Sequence, residues 1–459
     1  SLNGINGSSL IKPLFGVPPY KIETEEKEKE KTQKITALSS RNFFNSDFIK
    51  ENLPGYKKRE PQVKYSVEVV KTLNKPVHYY AEAPTGIGKS LGYLVPSALF
   101  LEKNPDKKII IATATKNLQK QIIDNDWHLI QKRFPDLKIA SLKGKSNYMC
   151  LSALRRQFKH YFSSRSKSEE KASWLALILF ATLTDGDIDR IPYDLKKWLP
   201  SLKELINEVR ADLYCTKSLC NPSSCIYGHH LSIADRSQII VTNHFKSVLM
   251  NEGIVDAAHA MIIDEAERYG DNVRQALSTQ INSWDIKQLF YRIKGSKNRR
   301  GFIGIIESKL RKLSKKKGPK NSSVSDGMSA VRALGAGVES LEASIDQFVI
   351  EIYPNNDRVP ALMQHLPALR HSPDLLDTHL EPIVSGFRHI IEQLEKLQDE
   401  KIPISKSFKE RCETYLILFK EMDGKFANFK KGFMSKDNVH HFKGDPKSGW
   451  SLVRLPVDI

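Results

Sequence analysis

The chain has 459 residues, 40% of them hydrophobic, with a mean hydropathy of -0.40. That is enough for two to four domains of about 100–200 residues each, and no run approaches the ~18 apolar residues of a membrane span. Lys and Arg number 71 against 53 Asp and Glu, a net charge of +18, which points to a polyanion as partner, nucleic acid first. Ser1–Gly16 has neither a basic start nor an apolar stretch, so a secretory signal is not supported, and a cytoplasmic protein, with a monomer as the default state, is expected.

Residues 1–50 open on Gly, Ser and Pro and pass into the mixed-charge run Glu23–Lys34. With little to bury, they read as a flexible, solvated extension. From Tyr56 the pattern changes. A helix over Gln62–Leu73 precedes a short strand over Val77–Glu82, a Gly-rich turn and another helix. A β-branched strand at Lys108–Ala112, a helix over 116–133 and a strand at Leu137–Leu142 follow. The rhythm stops between Lys143 and Ile233 and resumes with strands at Gln238–Thr242 and Ala260–Ile263. Alternating strands and helices imply parallel crossovers and an α/β fold with a parallel sheet that has helices on both faces. Beyond Gly270 the pattern is helical, as in Val331–Ile352 and Ile383–Leu397, until a last strand at Trp450–Ile459. Arg292–Lys320 is dense in Lys and Arg, either a phosphate-contacting edge or a solvated loop, with the loop the reading for Lys315–Lys320.

Ala83-Pro84-Thr85-Gly86-Ile87-Gly88-Lys89-Ser90 follows the Val77 strand and opens a helix, the context of a phosphate-binding loop. Glycines let backbone N–H groups close around phosphate oxygens, and the helix N-terminus adds partial positive charge. Thr85, Gly86, Ile87 and Gly88 would form the cradle, Lys89 would reach the outer phosphates, and Ser90 would offer its hydroxyl to Mg²⁺. Ala83 stands where the pattern has its first glycine. Met261-Ile262-Ile263-Asp264-Glu265 ends an apolar strand in two carboxylates, Asp264 for the metal and Glu265 to deprotonate water. Lys89, Asp264 and Glu265 are thus the candidate catalytic groups of an ATP hydrolase.

Four of the five cysteines, Cys150, Cys215, Cys220 and Cys225, gather in one third of the chain. This is not a disulfide framework in such a context. One distant thiol joins a close group of three, a spacing that suits four-thiolate zinc or an iron–sulfur cubane without separating them. Cys412 stands alone in a helical stretch and reads as a small buried hydrophobe.

These residues resemble the DinG family of helicases, relatives of XPD, from Tyr56 to Ile459. Arg59-Glu60-Pro61-Gln62 looks like its adenine-contacting element, placing Arg59 and Gln62 at the nucleotide, and Glu82–Ser90 looks like motif I. Thr113-Ala114-Thr115 with Leu118, Gln119 and Gln121 is similar to motif Ia, whose backbone and hydroxyls touch DNA phosphates, here Thr113 and Thr115. Lys143–Cys150 looks like the entry to the family's cluster domain, Val241-Thr242-Asn243-His244 like the segment after it, and Asp264-Glu265-Ala266-Glu267 occupies motif II. His244 reads as a satisfied interior or loop residue rather than a metal ligand, and Tyr148 as packing beside the cluster rather than stacking on a base.

The resemblance implies a RecA-like P-loop motor over 51–142 and 234–269, a [4Fe-4S] cluster domain over 143–233, an all-helical arch over 270–443 and a return to the motor at 444–459. It implies ATP as substrate, Mg²⁺, single-stranded or forked DNA, five-prime to three-prime travel, and a role in repair or replication. Lys145, Arg155, Arg156 and Lys159 become candidate DNA contacts. Glu267 stands where many relatives carry a histidine that couples hydrolysis to movement. The resemblance stops before motif III and the second motor domain with its arginine, so weak ATP turnover is expected of this portion alone. Two rival readings follow from the residues: a metal-stapled DNA-binding module without motor activity, and a zinc-containing P-loop enzyme acting on something other than DNA.

Overall fold

The computed structural model describes residues 32–84, 86–161, 168–213, 225–250, 252–296, 299–317, 322–352, 364–365, 373–433, 438–445 and 449–456. Thr85, Cys215 and Cys220 lie outside the described residues, as do the side chains of Arg156 and Lys159. Two compact units divide the chain, 1–276 and 277–459.

The first unit is α/β. Helices α1 (Ala37–Asn45), α2 (Asp47–Asn52), α3 (Glu60–Leu73) and α4 (Lys89–Lys103) precede strand β1 (Lys108–Thr113). Then come α5 (Lys116–Gln121), a π-helical turn at Ile122–Asp126, α6 (Trp127–Arg133) and β2 (Ile139–Ser141). Between β2 and β3 (Ile239–Asn243) lie α7 (Leu151–Tyr161), α8 (Ser168–Leu183), α9 (Tyr193–Trp198), α10 (Pro200–Val209) and α11 (Ile226–Asp235). After β3 follow α12 (His244–Val248), α13 (Glu252–Asp256), β4 (Ala258–Ile263) and α14 (Tyr269–Ala276).

The sheet has the order β2-β3-β1-β4, all parallel, with Ile110 beside Ile240 and Met261. Side chains alternate across a strand, so Ile109, Ile111, Ile239 and Val241 join one core with α1, α3, α4 and α6, while Ile110 and Ile240 join a second with Leu154, Trp174, Leu205 and Leu231. Both faces of the central strands are therefore dry, as a parallel sheet requires. The inserted region between Lys143 and Ile233 supplies the cover on one side.

Two expectations for this unit are corrected. Residues 32–52 belong to the fold rather than to a solvated arm: Ile35, Phe43, Phe44 and Ile49 are buried, Phe43 stacks on Phe134 at 6.3 Å, and the Ser40 and Ser66 hydroxyls bond in the interior. The charge run upstream masked this short amphipathic helix. Val77–Glu82 is not a strand. Val77 is its one β-branched residue, no neighbouring strand supplies ladder bonds, and Val77, Tyr79 and Tyr80 are exposed.

The second unit joins long helices to an antiparallel sheet. Strand β5 (Thr279–Asn282), α15 (Ser283–Lys294), a short ladder of β6 (Gly295–Ser296) and β7 (Arg299–Arg300), α16 (Phe302–Lys317) and α17 (Ser322–Ile352) come first. They are followed by β8 (Gln364–His365), α18 (Pro373–Gln398), α19 (Lys406–Phe433), β9 (Asn438–Asp445) and β10 (Gly449–Pro456). Leu334, Phe348, Phe387, Leu394, Phe419 and Phe426 share one core. Cys412 is buried within it, and burial pushes its thiol up to about 12.

The expected all-helical segment is thus corrected by a four-stranded sheet of order β5-β10-β9-β8. Phe442, Trp450 and Leu452 alternate inward from β9 and β10 onto the helical core. The terminal strand, expected to return to the first sheet, pairs antiparallel with β5 and β9 instead. Lys315–Lys317, expected in a loop, continue α16; Gly318–Lys320 lie outside the described residues.

Candidate active site

Two glycines make the phosphate-loop turn. Gly86 and Gly88 have φ of 81° and 86°, values that a side chain with a Cβ adopts at a cost, and a Cβ on Gly88 would collide with the Gln62 amide. Lys89 then opens α4, whose first N–H groups have no intrahelical acceptors. Arg59 donates to the Gly86 carbonyl, and Gln62 Nε2 donates to the Gly88 carbonyl at 2.8 Å. The two residues expected at the adenine are thereby tied to the loop itself.

The acidic pair arrives at the end of β4. The Asp264 N–H donates to the Ala112 carbonyl at 2.8 Å, continuing the parallel ladder one residue past the strand. The Glu265 N–H donates to Asp264 Oδ1 at 3.0 Å, and Glu265 has a φ of 54°, a left-handed backbone at a non-glycine of the strained kind found at functional turns. Glu265 Oε2 is buried with no hydrogen-bond partner among the described residues.

Tyr93 connects loop and acids. Its phenol, on α4, donates to Asp264 Oδ2 at 3.1 Å. Burial, and then the Asp264 carboxylate, holds its pKa far above that of an exposed phenol. Tyr93 escaped the sequence reading although the signal was present: it lies four residues after Lys89, on the same face of the helix.

His244, at the start of α12, braces the acidic turn and is fully buried. Its Nε2 meets the Asp264 carbonyl at 2.9 Å and its Nδ1 meets Asn272 Nδ2 at 2.9 Å. A carbonyl only accepts, so Nε2 carries the proton and Nδ1 accepts. Burial pushes the imidazole pKa down. His244 is the satisfied interior histidine expected of it.

Residues 64–166 match the DEAD/DEAH box helicase family. Over 238 residues, 49% of this chain and 24% of the relative, the chain is 33% identical to the Bacillus subtilis protein named 3'-5' exonuclease DinG. It is 28% identical over 251 residues, 53% of this chain and 37% of the relative, to the ATP-dependent DNA helicase YoaA of Haemophilus influenzae. It is 36% identical over 104 residues, 22% of this chain and 14% of the relative, to the ATP-dependent DNA helicase DinG of Escherichia coli. Over these stretches the chain is similar to DinG and YoaA helicases. It spans less than two fifths of the length of these three relatives.

The residues expected at DNA separate. Thr113 is buried, and its hydroxyl donates to the Thr115 carbonyl at 3.0 Å, so it is committed to the interior. Thr115 is exposed and caps α5, accepting from the Leu118 N–H at 3.3 Å. Gln119 is buried and ties α5 to the sheet through Ser141 and the Val241 carbonyl, each at 2.9 Å. Lys145 and Arg155 are exposed. Tyr148 is buried, and its hydroxyl accepts from the Lys143 N–H at 3.1 Å, a packing role.

Of the four candidate ligand cysteines the two described, Cys150 and Cys225, both sit at helix starts. Cys150 Sγ accepts from the Ala153 N–H at 3.4 Å ahead of α7, and Cys225 Sγ accepts from the Gly228 N–H at 3.2 Å as the cap of α11. Their chain neighbours meet at Gly186: the Met149 N–H donates to its carbonyl at 2.9 Å, and Ile226 fills the space a Cβ there would need. Among the described residues, no group of three or more His, Cys, Asp or Glu is placed to hold a metal. No described helix is long and apolar enough to cross a membrane.

Lys246, on α12, was also missed. It is buried, donates to the Leu249 carbonyl at 3.0 Å, and lies 5.8 Å from the Tyr227 ring, which Lys145 approaches at 5.7 Å. Burial, then repulsion by Lys145, lowers its pKa to about 8. A free lysine holds its proton to about pH 10.4. The unfolded chain therefore binds more protons than the folded one between these values, and stability should rise from pH 8 to about pH 10. Lys246→Met is expected to stabilise the protein by about 2 kcal/mol at pH 7 and to flatten that rise. Denaturant melts at pH 7, 8, 9 and 10 check this, and an unchanged slope in the variant would contradict it.

Proposed function

We propose that this chain is part of an ATP-driven DNA helicase that travels five-prime to three-prime on single-stranded or forked DNA in repair or replication. The observation that carries the reading is the meeting of α4 and the β4 acids: the helix that starts at Lys89 is hydrogen-bonded through Tyr93 to Asp264. The relatives' printed activity favours this over a metal-stapled binding module without a motor.

The donors suit Mg²⁺, a hard cation that takes oxygen ligands. Ser90 and Asp264 would hold it, and Glu265 Oε2 is a buried acceptor without a protein donor among the described residues. When bound, the ion neutralises charge on the outer phosphates. The rest falls to the chain: Gly86 and Gly88 leave backbone N–H groups facing phosphate, Lys89 supplies a point charge, and Glu265 orients water and takes its proton.

Residues 51–142 and 234–269 form, on this reading, a RecA-like motor half, 143–233 a cluster domain and 270–443 an arch. The terminal strand pairs with β5 and β9, not with the motor sheet. Cys150, Cys215, Cys220 and Cys225 would hold a [4Fe-4S] cluster. The two described thiols fit: each accepts a backbone N–H at a helix start, and their neighbours converge on Gly186. The cluster would staple the insertion that covers one sheet face. Lys145, Arg155, Arg156 and Lys159 would contact DNA phosphates.

The test is ATP turnover by the full-length protein, prepared anaerobically, with and without single-stranded DNA. Stimulation by DNA together with brown, iron-containing protein is the expected result. DNA-independent turnover, or colourless protein with stoichiometric zinc, would count against the helicase and the cluster respectively.

A further inference from the structure

We propose that the basic face of α16 is a docking surface for the phosphate backbone of double-stranded DNA. The choice of DNA as the polyanion rests on the helicase reading above, and the choice of duplex over single strand on the shape and chemistry of the helix.

The Lys- and Arg-rich run of the sequence folds here as an amphipathic helix. Phe302, Ile306 and Leu310, at i, i+4 and i+8, are buried in the core of the second unit. Lys309, Lys312 and Lys316, at i, i+3 and i+7, form one exposed row, with Arg311 and Lys315 exposed beside it. Lys309 is held by packing: its ammonium lies 4.0 Å from the centre of the Phe408 ring. Among the described residues, Arg311 pairs with Glu307 at 2.6 Å, and no carboxylate pairs with the lysines of the row.

A merely solvated face would look different. Elsewhere on the helices of this unit lysines stand beside glutamates: Lys396 by Glu392 at 2.7 Å, Lys420 by Glu395 at 2.8 Å and Lys425 by Glu421 at 3.0 Å. On α16 like charges stand three and four residues apart, a spacing that weakens a helix. The helix dipole favours Lys315 and Lys316 in the last turn, but it does nothing for Lys309 and Lys312, which precede that turn. A polyanion lying along the row accounts for all of them.

From Lys309 to Lys316 the row rises about 10 Å, a length of duplex that carries about six phosphate charges. Single-strand binders set exposed aromatic rings in a basic groove. Here the helix face is convex, and Phe408, the ring beneath Lys309, is buried. The lysines are flexible point charges, which suit phosphate oxygens rather than the edge of a base, and Arg311 is tied to Glu307. The contact is therefore with the backbone and independent of sequence.

The test is binding of labelled duplex and single-stranded DNA to the full-length protein, followed by fluorescence anisotropy between about 50 and 200 mM salt. In a variant carrying Lys309→Gln, Lys312→Gln and Lys316→Gln, changes that keep helix propensity, the slope of log affinity against log salt for duplex should flatten by about 0.9 per lysine, about 2.7 in all. Single-strand binding should stay as in the wild type. Lys309→Arg, Lys312→Arg and Lys316→Arg together should keep the wild-type duplex slope. Wild-type protein that binds neither form of DNA overturns the helicase reading and this inference together. Single-strand binding without duplex binding, an unchanged duplex slope in the glutamine variant, an equal loss for both forms of DNA, or a slope as flat in the arginine variant overturns this inference alone.

Discussion

Glu265→Gln is expected to slow ATP hydrolysis by the full-length protein about 10²–10⁴-fold, the usual worth of a positioned general base, while ATP still binds. The exchange is nearly isosteric, and the turn should survive because its geometry comes from the backbone. Asp264 N–H is anchored on Ala112, Glu265 N–H on Asp264 Oδ1, and the Asp264 carbonyl on His244. The glutamate oxygen that makes no protein hydrogen bond among the described residues is the one left to receive a water proton. Glutamine cannot receive it. Single-turnover hydrolysis beside nucleotide binding checks this: retained binding with lost hydrolysis is predicted, and hydrolysis within a few-fold of wild type would remove Glu265 from the chemistry.

Lys89→Ala should behave differently, losing turnover by about 10²–10³-fold, as when one donor to developing charge is removed, and losing ATP affinity with it. Lys89 is the first residue of α4, and its backbone is fixed by the Gly88 turn that Gln62 holds, so truncation removes a charge and leaves the loop standing. Melting should be little changed. The pair of variants therefore distinguishes ground-state phosphate binding, lost in one, from water activation, lost in the other.

Much of this site was legible in the sequence because its signals are local. A Gly-x-Gly-Lys-Ser string allows few backbone paths, and an apolar β-branched run ending in Asp264 and Glu265 is a buried parallel strand with acids at its carboxyl end. The parallel sheet followed from the spacing of Ile-rich runs with helices between. What escaped depends on distant partners. Val77–Glu82 has the look of a strand, but a strand exists only with a neighbour to bond. Residues 32–52 looked too polar to fold, yet Phe43 and Phe44 find Phe134 and α3 across the unit. The antiparallel sheet of the second unit pairs β10 with β5 across more than 160 residues, a register that no local window contains. Tyr93 and Lys246 read as ordinary helical residues until Asp264 and Tyr227 stand beside them.

On the proposed function the Lys89 loop and Asp264 serve one nucleotide-bound metal ion. The most direct measurement is the electron paramagnetic resonance of Mn²⁺, in place of Mg²⁺, bound with a non-hydrolysable ATP analogue to wild type, Lys89→Ala and Asp264→Asn proteins. Both variants should lose most of the nucleotide-dependent protein-bound signal. A signal undiminished in Asp264→Asn would show that the acids and the loop serve separate sites.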